Sequence, residues 1–137
     1  MEKELAFQIF DVSIYLYGKD LDPEKINSIL SLTATRSHRC GDTRPISSGR
    51  TKPAKTGLWM LRSDLKSLDI NEHIEHLVSL TLLRSSQLGL LEAVEVIRLD
   101  IFVAKGDAAN EQTLELLFTP KSIQLIAEIG ARLDITV

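Results

Sequence analysis

The chain has 137 residues, 44% of them hydrophobic and 26% charged, with a formal net charge of −3. That length suits one domain, and the composition excludes intrinsic disorder and the need for a metal or disulfide staple. One cysteine, Cys40, excludes an intramolecular disulfide and a Cys-rich zinc site. The opening Met1-Glu2-Lys3-Glu4 has no apolar run behind a basic start, and apolar stretches such as Leu88–Leu91 are far short of the ~20 residues of a spanning helix. A cytoplasmic protein with no membrane association is the expectation.

Phe10, Val12, Ile14 and Leu16 alternate with Asp11, Ser13, Tyr15 and Tyr17, the period of a half-buried strand. Asp22-Pro23-Glu24 reads as an N-cap, a proline at the first helical position and an acid in the first turn, and Ile26, Ile29 and Leu30 continue the helix to about Leu32. Residues 33–39 suit a second strand. Residues 41–57 hold Gly41, Pro45, Gly49, Pro53 and Gly57, which is loop chemistry. Residues 58–61, around Trp59, resume as a third strand.

Asp69 caps a helix whose stripe is Ile74, Leu77, Val78, Leu82 and Leu88, ending near Gly89. Leu99, Ile101 and Val103 alternate with polar or outward positions as a strand, and Leu114, Leu116 and Phe118 predict another, paired with it as an antiparallel hairpin. Thr119-Pro120 opens a last helix that Gly130 closes, and Leu133, Ile135 and Val137 form the last strand. The order β-α-β-β-α-β-β-α-β predicts an α+β fold, a largely antiparallel sheet with helices on one face. Val12, Ile14, Leu16, Leu99, Ile101, Val103, Leu116, Leu133 and Ile135 are the expected core of that sheet.

Charge is uneven along the chain. Between Arg36 and Arg62 stand seven basic residues (Arg36, Arg39, Arg44, Arg50, Lys52, Lys55, Arg62) against Asp42, so this segment carries +6 and the rest −9. A Gly/Pro-punctuated basic loop on an acidic body suits phosphate, nucleic acid or an acidic protein surface, or serves only to keep the loop solvated. Self-repulsion among its cations predicts an open loop that orders on binding. Arg36 and Arg39, three apart, leave a strand on opposite faces, one toward a ligand and the other bracing the loop through Asp42 or a backbone carbonyl. Trp59 is either a stacking platform or, as its apolar neighbours favour, a core anchor.

His73 and His76 share a helix face with Glu72 and Glu75 nearby, but no third metal ligand is evident and two exposed histidines are the expectation. His38 and Cys40 have no orienting group for Cys–His catalysis, and no phosphate-binding glycine motif or nucleophile elbow occurs. No enzyme activity, cofactor or metal is expected.

The run Thr35-Arg36-Ser37-His38-Arg39-Cys40-Gly41-Asp42, with Lys55-Thr56-Gly57-Leu58-Trp59, resembles the signature of the domain-of-unknown-function 4279 family of small bacterial proteins. Leu21-Asp22-Pro23-Glu24-Lys25-Ile26 and the Thr119-Pro120 helix before Leu133-Asp134-Ile135 extend the similarity over nearly the whole chain. The resemblance implies a fold and a loose link to toxin-immunity systems, with no established activity, catalytic residue or cofactor.

The functional expectation is a non-enzymatic binding module with a protein partner, of the immunity type that covers a toxin's active site, since an acidic body suits a basic partner. The rival is a binder of nucleic acid or a phosphorylated ligand. Candidate binding residues are Arg36, Arg39, Arg44, Arg50, Lys52, Lys55 and Trp59.

Overall fold

The structure, a computed structural model, describes residues 7–81, 92–105 and 115–137. Its elements, in order, are β1 (Phe7–Gly18), α1 (Pro23–Leu30), β2 (Arg36–His38), β3 (Thr43–Pro45), β4 (Thr51–Pro53), β5 (Gly57–Arg62), α2 (Ile70–Leu80), β6 (Val96–Lys105), α3 (Pro120–Glu128) and β7 (Arg132–Thr136). Five strands form one sheet in the order β2-β5-β1-β6-β7, and β3 and β4 pair separately. The α+β class and the largely antiparallel sheet are as expected. Only β6 and β7 run parallel.

The caps named from sequence form as the residue types dictate. Asp22 Oδ1 accepts the Glu24 amide at 3.1 Å ahead of Pro23, and Thr119 Oγ1 accepts the Ser122 amide at 3.1 Å ahead of Pro120. Gly130 adopts φ +65° just past α3, the left-handed position a helix end asks of glycine. Helix α2 ends at Leu80, and Leu82 and Leu88 of its predicted stripe lie outside the described residues.

Cross-strand partners point to the same face of a sheet. Val12, Ile14 and Leu16 therefore share one face with Trp59, Leu99 and Ile101, and all six are buried with Ile26, Leu30, Ile74, Leu77 and Val78 of α1 and α2. Leu125, Ile126 and Ile129, in and just past α3, pack against the same core. The opposite face carries no helix among the described residues.

Three expectations are corrected. Residues 115–118 form no strand. Their backbone is held instead by the Asn71 side chain, whose Nδ2 donates to the Leu117 carbonyl (2.8 Å) and whose Oδ1 accepts the Thr119 amide (2.9 Å). With Asn71 supplying those partners, β6 takes β7 rather than a hairpin arm as its second neighbour; Leu114 lies outside the described residues. Second, Leu133 and Ile135 are 37% and 43% exposed because β7 is an edge strand with a neighbour on one side only, and Leu116, outside any strand, is half-buried against the core. Third, the 41–57 stretch contains a paired hairpin, so the described elements read β-α-β-β-β-β-α-β-α-β.

No helix among the described residues is long and apolar enough to cross a membrane.

Candidate functional site

Strand β2 pairs antiparallel with β5, placing Arg36 opposite Met60 and His38 opposite Leu58. The register continues through β1, where Tyr15 faces Met60 and Tyr17 faces Leu58, and into β6, where Arg98 faces Tyr15. One row across the face opposite α1 and α2 thus reads Arg36, Met60, Tyr15, Arg98, Arg132, and the row beside it His38, Leu58, Tyr17, Val96. Strand alternation puts every one of these side chains on the side away from the helices.

The basic stretch folds back beside this face. Thr43 pairs with Pro53, Arg44 with Lys52 and Pro45 with Thr51. Ile46 N–H donates to the Arg50 carbonyl at 2.8 Å, and Gly49 turns the tip at φ +81°. At the base, Gly41 N–H donates to the Ala54 carbonyl (2.9 Å) and Ala54 N–H to the Asp42 carbonyl (2.8 Å). The Cys40 thiol points at the Lys55 carbonyl, 3.5 Å away. Two prolines and two glycines hide this pairing from periodicity, since a three-residue strand carries no readable alternation.

Two recesses lie where hairpin and sheet meet. One, about 350 Å³, is lined by Tyr17, Arg36, His38 and Leu58 from the sheet and by residues 52–56 of the hairpin, Lys52 and Lys55 among them. The other, about 740 Å³, again has Arg36, His38 and Leu58, facing Asp42, Thr43 and Pro45. Leu58, buried, is an apolar floor common to both. Among the described residues, no acidic side chain lies within ion-pair distance of Arg36, Arg50, Lys52 or Lys55.

Arg39, Arg62, Arg98 and Arg132, by contrast, each meet a carboxylate. Arg39 Nη2 meets Asp22 Oδ1 at 2.8 Å and Glu24 Oε2 at 3.6 Å, bracing the hairpin base against α1, while Asp42 accepts the Arg39 backbone N–H at 2.8 Å. Of the two arginines expected on opposite faces, Arg36 reaches the recess and Arg39 is the brace. Arg62 pairs with Asp11 at 3.2 Å, and Asp134 serves both Arg132 (3.0 Å) and Arg98 (3.5 Å). The Arg98 guanidinium also stands 4.3 Å from the Tyr15 ring centre, and the Tyr15 and Tyr17 rings stack 6.0 Å apart. Burial pushes the Tyr17 phenol above its ordinary pKa, an effect that Arg98 and Arg36 partly offset.

Trp59 is wholly buried on the helix side, its indole N–H donating to Asn27 Oδ1 at 2.8 Å. It is a core anchor and offers no face to a ligand. Arg44 contributes its backbone to the hairpin, and Arg50 stands at the exposed tip, outside both recesses. The site therefore gathers Arg36, Lys52 and Lys55 from the candidates and adds Tyr17 and His38, which only the strand register brings beside them.

The two helix histidines, expected to be exposed, are not: His73 is buried and His76 half-buried. The His73 Nε2–H donates to the Ser67 carbonyl (2.8 Å) and its Nδ1 meets Ser63 Oγ at 2.6 Å. His76 Nε2 lies 3.3 Å from Asp64. Both clip the β5–α2 connection to the helix. His73→Phe is expected to cost on the order of 1–3 kcal/mol in urea unfolding by leaving the Ser63 hydroxyl and Ser67 carbonyl without their partner, and an unchanged midpoint would refute that role.

No curated protein and no solved structure matches the chain. The model of one family, described as Domain of unknown function (DUF4279), matches residues 7–137, which spans the sheet, the three helices and the basic hairpin alike, and the chain belongs to that family.

Proposed function

We propose that the protein is a binding module rather than a catalyst, and that it takes an anionic, phosphate-bearing group into the recess between the basic hairpin and the sheet face opposite α1 and α2. One observation carries this reading: Arg36, Lys52 and Lys55 converge on a recess with no acidic partner among the described residues, while Arg39, Arg62, Arg98 and Arg132 each have one. Unpaired cations beside a buried apolar floor gain most from a ligand that brings the missing charge, since charge-assisted hydrogen bonds are the stronger kind.

The test is a titration with pyrophosphate followed by amide chemical shifts. Shifts should cluster at Arg36, His38, Lys52 and residues 54–56. The triple substitution Arg36→Ser, Lys52→Ser, Lys55→Ser should abolish them while moving the melting temperature little, because exposed unpaired charges add little to folding. Scattered shifts, or full binding by the variant, would sink the reading.

A protein partner of the immunity type, covering a toxin's active site, is the second reading. The −9 carried outside residues 36–62 favours it, since complementary fields speed encounter with a basic surface. A complex of that kind would survive the same triple substitution unweakened.

A further inference from the structure

We infer that the ligand of this recess is compact, a phosphorylated small molecule of nucleotide size with a flat or apolar portion, rather than a strand of nucleic acid. The inference rests on the anionic reading above and adds the ligand's extent and second chemical feature.

Extent follows from where free positive charge stops. A strand laid across the sheet would follow the row Arg36, Tyr15, Arg98, Arg132 and would need a cation for each phosphate along it. Past Tyr15 that row is already neutralised: Asp134 sits between Arg98 and Arg132, and Arg98 is further engaged over the Tyr15 ring. A polyanion arriving there would have to displace Asp134 and would meet its carboxylate. Among the described side chains of this face, the uncompensated charge lies at the β2 end.

The second feature follows from what surrounds that charge. The recess of about 350 Å³ matches the small end of ligand pockets. Its cations Arg36, Lys52 and Lys55 are exposed, whereas the apolar lining comes from buried Leu58 and Ala54 and half-buried Tyr17. A bare phosphate would leave that surface wet. A ligand with a phosphate at one end and a planar or apolar group at the other covers both. The Tyr17 phenol, protonated at neutral pH as tyrosine ordinarily is, has a hydrogen to donate.

The experiment is a calorimetric titration of the full chain with ADP, adenosine, inorganic phosphate and a twelve-residue oligothymidylate. ADP should bind one to one and at least about tenfold more tightly than phosphate or adenosine, since each half supplies only part of the contact. Arg36→Ser should weaken ADP and phosphate together. Tyr17→Leu should weaken ADP and leave phosphate unchanged, with circular dichroism verifying the fold of each variant and Tyr17→Phe as a second variant that keeps the ring. Phosphate binding as well as ADP, or ADP binding untouched by Tyr17→Leu, would overturn the two-part ligand while the anionic reading stands. Oligothymidylate binding more tightly than ADP, with a salt dependence that grows with strand length, would overturn compactness and leave the anionic reading intact. Binding of none of these anions would remove the anionic reading itself.

Discussion

Trp59→Ala is expected to lose about 3–5 kcal/mol of unfolding free energy in urea titration, the range seen when a large buried aromatic is truncated. Trp59 is wholly buried between the sheet and α1, where the loss opens a large cavity. It also removes one of two donors to Asn27 Oδ1, which accepts the indole N–H at 2.8 Å and the Ala34 amide at 3.1 Å. Trp59→Phe keeps most of the volume and leaves Asn27 Oδ1 with its Ala34 bond, so it should cost clearly less than the alanine variant. A loss below about 1 kcal/mol for Trp59→Ala would mean that the ring does not sit in the core.

The second large effect is a contrast within one pair of neighbouring strands. Ile101 and Ile135 are register partners on β6 and β7, the same residue type on the same face. Ile101 is fully buried, flanked by β1 and β7, whereas Ile135 is 43% exposed at the sheet edge. Ile101→Ala should cost on the order of 2–5 kcal/mol, and Ile135→Ala under about 1.5 kcal/mol, because a partly wet site has less to lose and collapses more freely. Equal costs would place β7 under cover and contradict its edge position.

That contrast also marks where the sequence was legible. Val12, Ile14, Leu16, Leu99, Ile101 and Val103 are buried as their alternation predicts, and Asp22-Pro23 and Thr119-Pro120 begin helices because cap chemistry is local. Alternation cannot say which strand lies at an edge, so Leu133 and Ile135 read like Leu99 and Ile101 although their surroundings differ. The 115–118 segment departs from its pattern for a related reason. Its pattern suits a strand, but a side chain forty-odd positions earlier, Asn71, claims its backbone. At the candidate site, charge singled out Arg36, Lys52 and Lys55. Tyr17 and His38 stayed hidden because they join those cations only through the β1–β5–β2 register. Which cations are spare is likewise a matter of pairing across the fold, as Arg39 with Asp22 shows.

The central position of β1 bears on how the chain reaches this state during synthesis. Both its neighbours come from later in the sequence, β5 at residues 57–62 and β6 at residues 96–105. A twelve-residue strand rich in Phe, Ile, Leu and Tyr therefore leaves the ribosome long before either hydrogen-bonding edge can be occupied, and its second edge waits until nearly the whole domain is out. Folding governed by such distant pairings is slow, and an unpaired apolar strand invites association with other chains meanwhile. Translation that outpaces this closure should favour inclusion bodies, and slower translation at lower temperature should raise the yield of folded protein.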